Sequence, residues 1–222
     1  MRHELARTDS DVRVTVGKIV AVGRNYAKHV EEMNAPPGRP VLFLKPATAL
    51  VEDGGEVAIP AGAGSMHHEV ELVVVIGATG KSIPAERALD HVLGYAVGLD
   101  LTLRDLQGEA KERGEPWCVA KGFDGSAPVS AVVPRDDVGD GSGLEITLDV
   151  NGERRQTGNT SQMLRPVPEL IAAVSRWFTL EPGDLVFTGT PHGVGPVVPG
   201  DRLEAKIERV GSLHVSVAAE TR

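Results

Sequence analysis

The segment HHEVELVVVIG, from His67 to Gly77, constrains the fold more than any other part of the sequence. It ends in a run of β-branched and leucine residues that predicts a buried strand over 69–76. Side chains alternate along a strand, so Glu69 and Glu71 share one face and lie roughly 7 Å apart. Val73 and Val75 continue that face toward the protein interior. Two unpaired carboxylates would be costly there, so the sequence predicts a cation beside them.

The rest of the chain predicts an α+β fold dominated by strands. It has 222 residues with 26 Gly and 15 Pro, which indicates many turns between short strands. Only 4% of residues are aromatic, so the core consists of Val, Leu, Ile and Ala. Asn151-Gly152 predicts a type I′ hairpin, and 104–113 and 167–178 have helical patterns. We expect an N-terminal arm at 1–16 and one catalytic domain at 17–222.

Charge, cysteine content and hydropathy exclude several classes of protein. The net charge of −8 argues against a nucleic-acid binder, which usually carries a basic face. The single cysteine, Cys118, excludes a disulfide framework and a cysteine metal cluster. No apolar run is long enough to span a bilayer, and no signal peptide is evident. A cytoplasmic protein without membrane or nucleic-acid partners is the default expectation.

A third carboxylate follows from the pattern LGYAVGLDLTL at 93–103. Asp100 shares a face with the small residues Ala96, Gly98 and Thr102, which leaves room for an ion or a ligand. Glu69, Glu71 and Asp100 would offer only oxygen ligands, and these suit Mg²⁺, Mn²⁺ or, less well, Ca²⁺. The alternative is that both glutamates line an exposed sheet face and that Asp100 lies in a turn.

His29 and Glu32 are spaced i, i+3 on a predicted short helix, so they share a face. A carboxylate that orients an imidazole makes a candidate general base for activating water. The neighbouring turn at Gly23 would allow this helix to move as a lid. On spacing alone, an ordinary solvated helix face is the better interpretation.

Several other polar residues stand at places where an anion could bind. Arg104 and Gln107 face one direction on the predicted helix, and Lys121 follows PWCVA, which we interpret as a strand. The glycine-rich segment FTGTPHGVG at 187–195 could hold an anion through its backbone N–H groups and the Thr190 hydroxyl, or form a simple tight turn. Lys45 ends the strand VLFLK, where we expect it to reach solvent.

The motifs VGRNYAKHVEEM, FLKP, HHEVELVVVIG, GLDLTLRDLQ, PWCVAKGFD and TLEPGDLVFTGTPHGVG occur in this order. Together they resemble the fumarylacetoacetate hydrolase family from about residue 18 to the end. The resemblance implies a mixed β-sandwich roll, usually dimeric, in the short branch of acylpyruvases and oxaloacetate decarboxylases. It implies three sets of site residues: metal ligands Glu69, Glu71 and Asp100; catalytic residues His29, Glu32 and Lys121; substrate-binding residues Arg24, Arg104, Gln107, Lys121 and Thr190.

The implied substrate is a small oxo acid, and the implied metal is Mg²⁺ or Mn²⁺. The expected reaction is hydrolysis of a C–C bond in a 2,4-dioxo acid (an acylpyruvate) through a pyruvate enolate, with His29 taking a proton from water. Two alternatives use the same metal site. They are decarboxylation of oxaloacetate, and isomerisation or decarboxylation of a product of aromatic-ring cleavage.

Overall fold

The computed structural model describes residues 3–27 and 40–219. Strands dominate it, as the sequence predicts. Their bounds are β1 Glu4–Leu5, β2 Val14–Thr15, β3 Ile19–Gly23, β4 Val41–Lys45, β5 Leu50–Glu52, β6 Glu56–Ile59, β7 Met66–His68, β8 Val70–Ile76, β9 Val92–Leu99, β10 Thr102–Leu103, β11 Ala127–Val129, β12 Val133–Pro134, β13 Glu145–Val150, β14 Glu153–Asn159, β15 Leu185–Phe187, β16 Gly195–Val197, β17 Arg202–Ile207 and β18 Gly211–Ala219.

Two sheets form the body of the molecule. The larger is mixed, in the order β4-β3-β15-β8-β9-β11-β5, with β12 beside β9. The smaller has the order β14-β13-β17-β18-β6 and is antiparallel except for the parallel pair of β18 and β6. A short sheet, β10-β7-β16, lies at the ends of β8 and β9. This arrangement confirms the mainly β, sandwich-type fold.

The main core lies between the two large sheets. Leu72 and Val74 of β8 belong to the same buried cluster as Ile146 and Leu148 of β13 and Leu203 of β17. The alternate residues of β8, Val73 and Val75, belong to a second cluster on the opposite face of the larger sheet. Every residue of β8 is therefore buried, because both faces of this central strand are covered.

The N-terminal residues cover part of that second face. β1 and β2 pair as an antiparallel hairpin, and Leu5, Val14 and Val16 join the second cluster. Arg7 forms a parallel bridge to Val132. The described residues of the predicted arm therefore pack on the larger sheet. The boundary at residue 16 stays a prediction.

Helices are few and short in the described residues. They are α1 Arg104–Arg113, α2 Cys118–Gly122, α3 Arg135–Val138 and α4 Val167–Ser175, with 3₁₀ turns at Ala47–Ala49, Ala85–His91 and Thr160–Gln162. α1 has the predicted bounds, and α4 ends earlier than predicted. The interpretation of PWCVAKGFDG as a strand is wrong, since its centre forms α2. Asn151 and Gly152 both have positive φ, 53° and 82°, which confirms the predicted turn. No helix of these residues is long and apolar enough to cross a bilayer.

Candidate active site

The antiparallel pairing of β8 with β9 brings the three predicted carboxylates together. Glu71 lies opposite Gly98, and the Asp100 N–H donates to the Glu69 carbonyl oxygen at 2.9 Å. All three side chains are buried, and one oxygen from each lies within 4.8 Å of the others. The alternative interpretation, an exposed sheet face with Asp100 in a turn, is therefore wrong.

Lys121, on helix α2, enters this cluster from one side. Its ammonium donates to Glu69 Oε2 at 2.8 Å, to Asp100 Oδ2 at 2.6 Å and to the Thr102 hydroxyl at 2.6 Å. Burial alone would lower the pKa of Lys121, but the charges of Asp100 and Glu69 and their hydrogen bonds raise it. Lys121 is therefore a fixed positive charge and a hydrogen-bond donor in this site.

Lys45 is a second buried ammonium, and our expectation that it reaches solvent is wrong. Its side chain is 0% exposed, because α2 packs over the end of β4. The Nζ atom donates to the carbonyl oxygens of Leu101, Lys121 and Ser126 and lies 2.8 Å from Asp100 Oδ1. Burial lowers the pKa of Lys45, and the charge of Asp100 opposes that effect.

Glu71 differs from the other two carboxylates. In the part of the chain that the structure describes, no lysine or arginine nitrogen lies within ion-pairing distance of it, whereas Glu69 and Asp100 are both paired. Its Oε2 accepts a hydrogen bond from the Gly189 N–H at 2.7 Å. Burial raises the pKa of Glu71 well above its usual value, and the charges of Asp100 and Glu69 add to this. Such a carboxylate favours a cation nearby.

The cluster fits a hard divalent cation. Its donors are all carboxylate oxygens, Glu71 has no cationic partner, and Asp100 Oδ1 is buried without a hydrogen bond among the described atoms. The same Asp100 oxygen is ion-paired with Lys45 at 2.8 Å, so Glu71 is the stronger indication of a missing cation. We therefore expect Glu69, Glu71 and Asp100 to hold the metal.

The glycine-rich segment after β15 fixes one wall of the site. The Thr188 hydroxyl donates to the Leu72 carbonyl at 2.8 Å, and the Gly189 N–H holds Glu71. Thr190 is buried, and its hydroxyl accepts a hydrogen bond from Gln156 Nε2 at 2.8 Å. Among the described residues no acceptor takes the Thr190 hydroxyl proton, and its role in binding an anion stays a prediction.

Two supporting residues were missed by sequence reasoning. Gln156, from β14, is buried; its Oε1 accepts from the Val70 N–H and contacts His68 Nδ1, and its Nε2 holds Thr190. Asn25 donates to the carbonyls of Thr188 and Arg165. No local sequence pattern marks either residue as part of a site. Each forms a hydrogen bond with a residue more than 80 positions away in the sequence.

Helix α1 presents basic and amide side chains toward the carboxylates. Arg104 Nη2 contacts Glu69 Oε1, and Arg104 Nη1 donates to Gln107 Oε1 at 2.7 Å. Lys111 lies seven positions after Arg104, on the same face of the helix. Its ammonium is 5.3 Å from the Trp117 ring centroid. Lys111 is exposed as a whole residue, but partial desolvation of its ammonium lowers its pKa, and the nearby positive charge of Arg104 lowers it further.

Arg24 also carries positive charge close to Lys111, whose pKa it helps to lower. It has a φ of 66°, which is uncommon for a residue other than glycine and often marks a functional position. His29 and Glu32, the predicted general base and its partner, lie outside the described residues, so their roles stay predictions.

Comparison with known proteins places this site in a family. The family model described as "Fumarylacetoacetate (FAA) hydrolase C-terminal" matches residues 18–218. The mitochondrial oxaloacetate tautomerase FAHD1 of Mus musculus is 50% identical over 200 residues, 90% of each chain. Oxaloacetate tautomerase YcgM of Escherichia coli strain K12 is 51% identical over 190 residues, 85% of this chain and 87% of that one.

A solved structure agrees with these matches. The fumarylpyruvate hydrolase of Pseudomonas aeruginosa, in complex with Mn²⁺ and pyruvate, superposes with a TM-score of 0.94 at 45% identity. The match covers 98% of this chain and 96% of the other. The chain described here belongs to the fumarylacetoacetate hydrolase family.

Proposed function

We propose that the protein is a divalent-metal-dependent enzyme that acts on 2-oxo acids, and that tautomerisation of oxaloacetate is its main activity. In that reaction a proton moves between C3 and the oxygen on C2. The observation that carries the proposal is the buried set of three carboxylates with Lys121 hydrogen-bonded beside it. The two oxaloacetate tautomerases that match most of this chain support the choice of substrate.

Charge balance favours a substrate with two carboxylates. Within residues 3–27 and 40–219, the ion-paired cluster with its neighbour Glu71 contains three acidic and three basic side chains: Glu69, Glu71, Asp100, Lys45, Lys121 and Arg104. These formal charges cancel, so a bound divalent cation leaves an excess of two positive charges. A dianion such as oxaloacetate neutralises that excess, whereas a monoanion leaves one charge uncompensated in a buried site.

We assign roles to the chain's residues on this basis. A bound Mg²⁺ or Mn²⁺, with Ca²⁺ the weaker candidate, would supply positive charge for the oxygen on C2. Lys121 adds a second positive charge, and the Thr190 hydroxyl donates a hydrogen bond. Arg104 and Gln107 bind a substrate carboxylate, and Arg24 contributes positive charge at the same side. His29, oriented by Glu32, accepts and returns the proton.

Cleavage of acylpyruvates is the second candidate, and the likeness to the fumarylpyruvate hydrolase favours it. In that reaction His29 takes a proton from water, and the hydroxide attacks the distal carbonyl. The C–C bond then breaks and releases a carboxylic acid and pyruvate enolate, which is protonated to pyruvate. Decarboxylation of oxaloacetate and isomerisation of a ring-cleavage product would also use this site. We also propose that the protein is a cytoplasmic homodimer.

The first experiment follows enol-oxaloacetate by ultraviolet absorbance with purified protein, with Mn²⁺ and then with excess chelator. We expect a metal-dependent loss of the enol without stoichiometric pyruvate formation. A coupled pyruvate assay with acetylpyruvate and fumarylpyruvate measures the hydrolase activity in parallel. Faster metal-dependent cleavage of an acylpyruvate than tautomerisation would reverse the order of the two candidates. No metal-dependent conversion of any of these acids would refute both.

A further inference from the structure

Tyr26 has a buried hydroxyl for which the described residues provide no hydrogen-bond partner. Its side chain is 2% exposed and belongs to the main core. Among the described residues, three buried side-chain atoms have no hydrogen-bond partner: the Tyr26 hydroxyl, Asp100 Oδ1 and His67 Nδ1. Asp100 belongs to the carboxylate cluster, and His67 lies two positions before Glu69. Two of these three atoms therefore belong to residues in or next to the carboxylate cluster, although Asp100 Oδ1 is ion-paired with Lys45.

The chain at Tyr26 passes next to the loop that holds Glu71. The preceding residue, Asn25, packs so closely on Gly189 that a Cβ atom there would lie 2.9 Å from Asn25 Cβ. The Gly189 N–H in turn donates to Glu71. Burial raises the pKa of Tyr26, and the negative charge of Glu71 raises it further. The hydroxyl therefore keeps its proton and can donate it, and the backbone next to it packs on the loop that binds Glu71.

A buried hydroxyl without a partner destabilises a protein, and a phenylalanine of the same shape would avoid that cost. Buried tyrosine hydroxyls normally have a hydrogen-bond partner. The other tyrosine follows this rule, since the Tyr95 hydroxyl donates to the Gly139 carbonyl at 3.0 Å. A ligand that binds beside Glu71 could supply the acceptor that the Tyr26 hydroxyl lacks.

We propose that the Tyr26 hydroxyl donates a hydrogen bond to an oxygen atom of the ligand that binds beside Glu71 in the metal-loaded site. Two sources can supply that oxygen: water that enters with the metal, or the 2-oxo acid itself. The inference rests on the proposed function only for the choice of acid. It makes Tyr26 a ligand-binding residue that the sequence motifs did not single out.

The test compares Tyr26→Phe with the wild type by thermal unfolding in chelator, in Mn²⁺ alone, and in Mn²⁺ with pyruvate. In chelator, we expect the variant to unfold at the same or a higher temperature. With ligand, we expect binding to weaken roughly tenfold or more, the factor for one hydrogen bond to a charged or strongly polarised acceptor. A loss already present with Mn²⁺ alone identifies water as the acceptor, and a loss only with pyruvate identifies the acid.

Tyr95→Phe is the matched control, because its hydroxyl has a partner within the fold. It should lower the unfolding temperature equally in all three conditions and leave both affinities unchanged. Tyr26→Phe would overturn the inference if it bound Mn²⁺ and pyruvate as tightly as the wild type, or if it lost stability in chelator as Tyr95→Phe does. A wild type unaffected by both ligands would overturn it too. A wild type that binds both ligands but does not convert oxaloacetate refutes only the proposed function.

Discussion

Replacing Lys45 by methionine tests whether its buried ammonium stabilises the fold. The change removes the ion pair with Asp100 and the donor to three carbonyl groups while retaining most of the apolar stem. Breaking a buried pair by removing one partner costs about 3–5 kcal/mol. In a domain of this size, 1 kcal/mol shifts the midpoint by about 2–4 °C, so we expect a decrease of roughly 6–20 °C.

Urea unfolding in chelator measures the change in free energy, and Lys81→Met is the control because Lys81 is exposed. Lys45→Met combined with Asp100→Asn should recover part of the loss, since the second change removes the unpaired charge. Mn²⁺ should also stabilise Lys45→Met more than it stabilises the wild type. A loss below about 1 kcal/mol would refute the reasoning, because the reasoning requires a charged and desolvated Lys45 in the folded protein.

Three further substitutions test Gly189, the positive charge of Lys111 and the proposed general base His29. Gly189→Ala should destabilise the protein by about 1–3 kcal/mol and weaken Mn²⁺ binding, because Gly189 has a φ of 98° and its N–H holds Glu71. Chemical unfolding checks this, with Gly108→Ala as a control in open space on α1 that should be neutral or stabilising. Lys111→Met should raise the KM for oxaloacetate roughly two- to fivefold and leave that for acetylpyruvate unchanged, as expected for one exposed ion pair. Equal changes for both acids would show that the positive charge of Lys111 does not distinguish a dianion from a monoanion. His29→Ala should lower acylpyruvate cleavage by about 10²–10⁴ and oxaloacetate decarboxylation by less, because only cleavage needs activated water. Equal losses in the two assays would remove that division of roles.

The strand pattern could be predicted from the sequence because it depends on local rules. Alternation along β8 correctly placed Glu71 with Val73 and Val75, since both faces of that strand are buried. The pattern LGYAVGLDLTL correctly placed Asp100 in the interior, where it is buried. In these cases the period of two along a strand determines which face a side chain occupies.

Tertiary contacts determined the features that could not be predicted. WCVAK contains an aromatic and a β-branched residue, which favour a strand, but it forms a short helix that carries Lys121 to the carboxylates. Lys45 ends an edge strand, where solvent is the usual environment, but α2 covers that end. Packing between distant segments assembles the site around Lys45 and Lys121. No local sequence pattern therefore indicated that the Lys45 ammonium is buried there.

The metal-free site should carry a pH dependence that originates in Glu71. Burial, and then the charges of Asp100 and Glu69, raise its folded-state pKa above the unfolded value. Its contribution to stability is therefore full below the unfolded pKa, about 4.3, and is lost as the pH rises through the folded pKa. Urea unfolding in chelator should show stability falling over that range, and Mn²⁺ should abolish the fall because a bound cation favours the ionised carboxylate.

Glu71→Gln separates this effect from the other ionisable groups. Glutamine has the same shape and can still accept the Gly189 N–H, but it cannot titrate. We expect the variant to lose the decline with pH and to be at least as stable as the wild type in chelator at neutral pH, since a buried unpaired charge is gone. It should bind Mn²⁺ at least about tenfold more weakly, because even partners of metal ligands have effects of that size. Wild-type Mn²⁺ affinity together with an unchanged pH profile would show that the buried charge on Glu71 neither costs stability nor attracts the metal.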